Sequence, residues 1–221
     1  DLQEYSLHMH QRFYPLIRRY GYRIAYEGEE PWNNTPIFYN PETVELVDVN
    51  YVLYAPSCWS NIGSKSYTSA VFRKKDTGRL FAVVNTHLWW KSEAAQPGST
   101  YARAAQVRLM MAEAEVLKNK YGCTIFVTGD MNAYEDSLPI RQFIEGGYTP
   151  CYKAATDATD NGNGHHICGP KDGYSRTSRR RSPDREKGAI DHCFIYNAQE
   201  GVAVKVFDCI TARFTVKLTD H

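Results

Sequence analysis

The sequence predicts an α/β fold, a layered sandwich in which β-strands are covered on both faces and helices lie outside. Three observations carry this. Short runs rich in β-branched and aromatic residues recur, too short to prefer helix, as in Ile125-Phe126-Val127-Thr128. One run, Leu80 to Leu88, is apolar on both faces down to His87, the pattern of a strand buried from both sides. An amphipathic stretch follows it with Val107, Met110, Met111, Ala114 and Leu117 along one stripe, so strand and helix alternate as layered folds require.

Taken in order, Ser6 to Tyr20 reads as a helix, with Leu7, Phe13, Leu16, Ile17 and Tyr20 as a loose apolar stripe. Pro15 inside it predicts a kink or a late start, and Gly21 is a good stop. Tyr22 to Tyr26 is a short strand. Pro36 to Asn40 and Val44 to Tyr54 read as a hairpin-like pair around Pro41-Glu42. Tyr67 to Lys75 and Leu80 to Leu88 are two strands joined by Asp76-Thr77-Gly78, a turn sequence suited to a tight hairpin. The amphipathic helix is expected to be capped by Ser99 or Thr100 and stopped by Gly122. Ser137 to Ile144 reads as a second, shorter helix. Thr156 to Gly188 is the longest irregular stretch, and long loops in compact domains are usually functional or mobile. His192 to Tyr196 and Val216 to Leu218 are further strand-like runs.

The length of 221 residues suits one large domain, expected to cover 1–221. The net charge of +1 leaves no global field that advertises nucleic acid. No apolar run is long enough to cross a membrane. The six cysteines contain no C-x-x-C pair, which argues against a zinc ribbon or a thioredoxin-like site. Cys123 and Cys193 fall in strand-like runs as buried thiols, and Cys151 and Cys168 flank the long loop and are positioned to pair in an exported protein.

The chemistry gathers at strand ends. Gly129 lets the chain turn after the 125–128 run and delivers Asp130 and Asn132 to the carboxyl end of a strand, where α/β proteins place their sites. The same design recurs in Asp1-Leu2-Gln3-Glu4, in Val83-Val84-Asn85-Thr86-His87, in Ala189-Ile190-Asp191 and in Val216-Lys217-Leu218-Thr219-Asp220-His221. If those strands are neighbours, several carboxylates and two imidazoles meet on one rim. Such a set suits a hard divalent cation and acid–base work on an anionic substrate. Each residue taken singly is more often a cap or a satisfied surface group, and the repeated placement makes the argument.

The ordered words LQE, NTHL, GDMN, AID and TDH resemble the endonuclease/exonuclease/phosphatase superfamily over nearly the whole chain, in the family's order. "LQE…FYPLIRRYGY" and "NTHLWW…ARAAQ" are most similar to its deadenylase and nocturnin-like branch. The resemblance implies a four-layer sandwich of two packed mixed β-sheets flanked by helices. It implies metal-assisted attack of water on phosphorus with Mg2+ or Mn2+. Glu4 then resembles the principal metal ligand and Asp220 adds charge to the metal site. Asp130 orients and deprotonates the water, and Asn132 binds a phosphate oxygen and helps the metal site. His221, held in one tautomer by Asp191, contacts the phosphate or takes a proton. His87 hydrogen-bonds the phosphate or protonates the leaving oxygen. Family members begin with a further strand and continue past the final Asp-His, so the domain is expected to be cut at both ends.

The substrate implied is a phosphate ester, with a nucleic-acid or nucleotide phosphodiester ahead of a phosphoinositide or a sphingomyelin-type lipid. A non-catalytic binding module that keeps the fold is the competing class. Lys171, Arg176, Arg179, Arg180, Arg181, Arg185 and Lys187, offset by Asp172, Asp184 and Glu186, give a net +4 between 171 and 187, a cluster able to meet phosphates or simply a solvated loop. Trp89, Trp90, Tyr101 and Tyr174 are candidate stacking rings, with a sugar or lipid headgroup or the core as their other destinations. On strand alternation Trp89 shares a face with His87 and is preferred, with Tyr174 and Arg176 as further substrate contacts.

Overall fold

The computed structural model describes residues 1–28, 32–54, 65–159 and 190–208. The elements run α1 (Leu7–Arg19), β1 (Arg23–Ile24), β2 (Phe38–Tyr39), β3 (Val44–Leu53), β4 (Ser66–Lys74), β5 (Leu80–His87), α2 (Ser99–Tyr121), β6 (Thr124–Asp130), α3 (Leu138–Glu145), β7 (Thr149–Pro150), α4 (Cys151–Ala154), β8 (Asp157–Thr159), β9 (Asp191–Tyr196) and β10 (Val206–Asp208). The fold is α/β. Its centre is a six-stranded mixed sheet in the order β3-β4-β5-β6-β9-β7, joined by two-stranded sheets β1-β2 and β10-β8.

The sheet is covered on both faces. On one face Val71, Ala82, Val84, Ile125, Val127 and Phe194 pack against Val107, Met110, Ala114 and Leu117 of α2 and Ile140 and Phe143 of α3. On the other, Ala70 and Phe72 meet Ile37 together with Ala25 and Tyr39, which brings β1 and β2 onto the sheet. β5 and β6 pair in parallel and their neighbours antiparallel, so α2 serves as the crossover that a parallel pair requires.

Several expectations need amending. α1 runs from Leu7 through Pro15 to Arg19, so Pro15 neither delays nor ends it; Ser6 caps it by accepting from the Met9 N–H at 3.1 Å. The hairpin expected around Pro41-Glu42 does not form. β2 pairs with β1, and the long β3 pairs with β4. The turn itself is present, with the Thr43 and Val44 amides donating to the Asn40 carbonyl, but the strands it joins find their hydrogen bonds elsewhere. Neither Ser99 nor Thr100 caps α2. The Glu93 carboxylate accepts from the amides of Gly98 at 2.6 Å and Thr100 at 2.8 Å, which holds its pKa below the usual range. The Asp76-Thr77-Gly78 hairpin forms as expected, with Gly78 at φ +70. Cys151 lies beside Cys193, Sγ to Sγ 3.1 Å, both as thiols; Cys168 lies outside the described residues.

Candidate active site

The site forms where β5 and β6 end and β9 begins. Strand register places His87 beside Asp130 and Asp130 beside Asp191, one rung across three adjacent strands. Paired residues of neighbouring strands project from the same face, so the imidazole and two carboxylates share one side of the sheet. His87 and Asp130 are 2 % and 5 % exposed, and His87 Nε2 lies 3.4 Å from Asp130 Oδ2.

Gly129 makes this alignment possible. Its φ is +139, and a Cβ there would lie 2.0 Å from the Thr86 carbonyl oxygen. Only a residue without a side chain lets β6 approach β5 so closely at the rung before the site. Past the strand, Asp130 Oδ1 accepts from the Asn132 amide at 2.8 Å, an Asx turn that fixes the carboxylate. Asn132 itself is left-handed at φ +47, and its side-chain amide donates to the Leu88 carbonyl at 3.2 Å. The backbone is clamped as well: Leu88 N–H donates to the Asp130 carbonyl, and Met131 N–H to the Ile190 carbonyl, both at 2.9 Å.

Glu4 arrives on the segment before α1, which lies across the same strands. Fully buried Asn85 of β5 holds it there: the Asn85 amide donates to the carbonyls of Leu2 at 2.8 Å and Pro36 at 3.2 Å, and its Oδ1 accepts from Gln3 Nε2 at 2.8 Å. Thr128 of β6 adds a hydrogen bond to Asp1 at 2.7 Å. Glu4 has φ +56, outside the region most residues prefer. Tyr5, fully buried, anchors the next position in a ring cluster with His10, Phe13, Trp32 and Phe38.

One residue is present that no motif announces. Lys65, 3 % exposed, precedes β4 and places Nζ 2.5 Å from His87 Nε2. Burial pushes its pKa down to about 8, against the opposing pull of the carboxylates of Asp130 and Glu4. Both carboxylates lie near enough to that ammonium to act on its charge. The hairpin register could have found this residue. With Arg73 opposite Leu80, Ser66 falls opposite His87, and Lys65 is its neighbour.

Trp89 is not where alternation puts it. β5 ends at His87, and beyond it the chain turns inward, leaving the Trp89 ring 4 % exposed with Nε1 donating to Ser99 Oγ at 3.2 Å. The Trp89 amide donates to Gln106 Oε1, and Arg103 donates to the carbonyls of Trp89 and Lys91. Trp89 is therefore no stacking surface, and Trp90, 56 % exposed, is the ring this loop presents. Tyr174, Arg176, Asp220 and His221 lie outside the described residues.

Among the described residues no three His, Cys, Asp or Glu side chains stand close enough to hold a metal ion. Glu4, Asp130 and Asn132 offer hard oxygen donors, a chemistry that suits magnesium or manganese and does not suit a thiophilic metal.

No protein-family model matches the chain. An RNA exonuclease, NGL1, of Saccharomyces cerevisiae is 31% identical over 83 residues, which cover 34% of this chain and 21% of that protein. An endonuclease/exonuclease/phosphatase from Bacteroides vulgatus superposes with a TM-score of 0.69 at 21% identity, covering 96% of this chain and 78% of that one. The human Nocturnin catalytic domain with bound sulfate anion gives 0.60 at 18% identity, covering 85% and 65%. The chain has the endonuclease/exonuclease/phosphatase fold. This is the deoxyribonuclease I-like architecture that the ordered strand-end motifs imply. The chain spans about a fifth of the length of the curated relative it matches.

Proposed function

We propose that this chain is a divalent-metal-dependent phosphoesterase that hydrolyses a nucleic-acid or nucleotide phosphodiester with water activated by Asp130. The observation that carries this is the rung of His87, Asp130 and Asp191, with Glu4 near enough to act on the same ammonium as Asp130. Asp130 is buried and held on Oδ1 by its own Asx turn, so Oδ2 can orient a water and accept its proton without reorganising. The water oxygen bonds to phosphorus. The bond to the leaving oxygen breaks with its electron pair, and that oxygen takes up a proton, so one water is consumed per ester cleaved. His87 and Asn132 stand beside the phosphate as hydrogen-bonding groups. Asp191 lies on the rung beside Asp130, and in this reading it would hold His221 in one tautomer. A divalent cation held by Glu4 and Asp220 would supply charge stabilisation at the phosphoryl oxygens.

The preference for a nucleic-acid phosphodiester rests on the RNA exonuclease among the relatives and on the basic run between 171 and 187. The test is a magnesium-supplemented panel of single-stranded RNA and DNA, an abasic duplex, phosphoinositides, sphingomyelin and an aryl phosphodiester. We expect turnover on nucleic acid and, for Asp130→Asn, a loss of at least about three orders of magnitude in kcat/KM, since the change keeps the shape and removes the base. Turnover of lipid substrates alone would reverse the order. No turnover at all, with Asp130→Asn binding a partner as tightly as the parent, would make the chain a binding module.

A further inference from the structure

The geometry points to Lys65 as the phosphate-binding cation of this site, its ammonium seated on His87 and presented to a non-bridging phosphoryl oxygen. The inference rests on the proposed phosphoesterase reading and adds to it a residue that no strand-end motif contains.

Three observations carry it. First, a buried ammonium is costly unless something in the protein needs it. Among the described residues the buried basic side chains are Lys65 and Arg103, apart from histidine, and Arg103 spends its guanidinium on the backbone carbonyls of Trp89 and Lys91. Second, among the described residues Lys65 is not consumed as a counter-ion. Both Glu4 and Asp130 act on it electrostatically, yet among the described residues it forms no ion pair. Its hydrogen-bond partner there is the imidazole of His87 at 2.5 Å. An ammonium carries three donors, so two remain to meet an anion. Third, its seat is rigid. His87 is 2 % exposed and paired by strand register to Asp130, while Tyr54 N–H donates to the Lys65 carbonyl at 3.0 Å, fixing the backbone at the head of β4.

The charge pattern explains why such a cation is needed. A phosphodiester approaching Glu4 and Asp130 meets two carboxylates, and a fixed positive charge held beside His87 offsets that repulsion in the ground state. As charge builds on the phosphoryl oxygens, the same ammonium stabilises it further. Lys65 Nζ and His87 Nε2 are hydrogen-bonded to each other. His87 is then a seat for Lys65 as well as a neighbour of the phosphate.

The test compares the parent with Lys65→Met, which keeps the length and removes the charge, and with Lys65→Arg. We expect Lys65→Met to lower kcat/KM by on the order of 30- to 100-fold and to weaken inhibition by inorganic phosphate at least about tenfold, with Lys65→Arg recovering most of both. A folded Lys65→Met within about threefold of the parent on both measures would overturn the assignment while leaving the phosphoesterase reading intact. If Lys65→Met fails to fold, the 15N-lysine spectrum of the parent decides, with the Lys65 signal identified by its loss in Lys65→Arg. A saturable shift on adding inorganic phosphate supports the contact, and an unmoved signal overturns it. If the parent turns over no ester yet phosphate moves that signal, the cation assignment stands and the hydrolytic reading falls.

Discussion

At the scale of single residues, the site depends on positions that carry no chemistry themselves. Gly129 is the sharpest case. A methyl group there would meet the backbone of Thr86, which belongs to β5 and cannot rotate away, and φ +139 is a conformation L-residues avoid. We expect Gly129→Ala to destabilise the protein by about 3 kcal/mol or more, read as a fall in the urea midpoint, because either the β5–β6 pairing or the backbone angle must give. A midpoint within experimental error of the parent would mean that the two strands do not approach as described. Asn85 is a second such residue, visible in the sequence only as the first letter of an NTH word, yet it holds the segment bearing Glu4. The strand-end motifs announced Asp130, His87 and Asp191 because chemistry needs those residue types at strand ends. They could not announce Lys65 or Asn85, whose importance comes from pairing across strands and from burial.

At the scale of elements, legibility followed how local the determining interactions are. The β4–β5 hairpin was readable because its turn residues fix its register, and α2 because its apolar stripe repeats over many turns. β2 and β3 were misjoined because the choice of partner strand is made by tertiary packing, with Ile37 and Tyr39 drawn onto Ala70 and Phe72. Trp89 was misplaced because strand alternation was extended past the end of the strand. The α3–β7–β9 corner offers a test of packing without catalysis. Tyr148 stacks on Tyr196 at 4.2 Å and meets Phe143 edge-on at 5.1 Å, while its buried hydroxyl has no hydrogen-bond partner among the described residues. Burial also pushes that phenol's pKa well above its usual value. Tyr148→Phe keeps the rings and removes the desolvated hydroxyl, so we expect a change between zero and about 1 kcal/mol in the stabilising direction. Thermal and urea melts check it, and a loss of more than about 1 kcal/mol would show that the hydroxyl is hydrogen-bonded after all.

At the scale of the whole molecule, the question is what the gathered charges do to folding. Glu4 and Asp130 reach the site on different elements, one on the strand-crossing N-terminal segment and one at the end of β6. Two carboxylates about 6 Å apart repel by roughly 3 kcal/mol at an effective dielectric near 20. Lys65 offsets part of this, but its single charge, itself weakened by burial, does not cancel two. A divalent cation that binds only the folded state turns this repulsion into attraction. At about 100 times its Kd such an ion adds roughly 2.7 kcal/mol, a rise in Tm of about 5–10 °C for a protein of this size. We expect magnesium or manganese to raise Tm by that order, and Glu4→Gln, which removes one charge from the described ligands, to abolish most of the rise. Calcium is expected to stabilise with less turnover, because its looser coordination aligns a water less strictly. The measurement is a thermal melt of the parent and of Glu4→Gln, with chelator and with millimolar magnesium. If Lys65→Met is melted alongside, its magnesium-dependent rise should exceed the parent's, since the cation then meets carboxylates with no ammonium already acting on them. A parent Tm that does not move at saturating metal would mean that Glu4 and Asp130 do not share a cation, and the proposed activation of water beside a metal would fail with it.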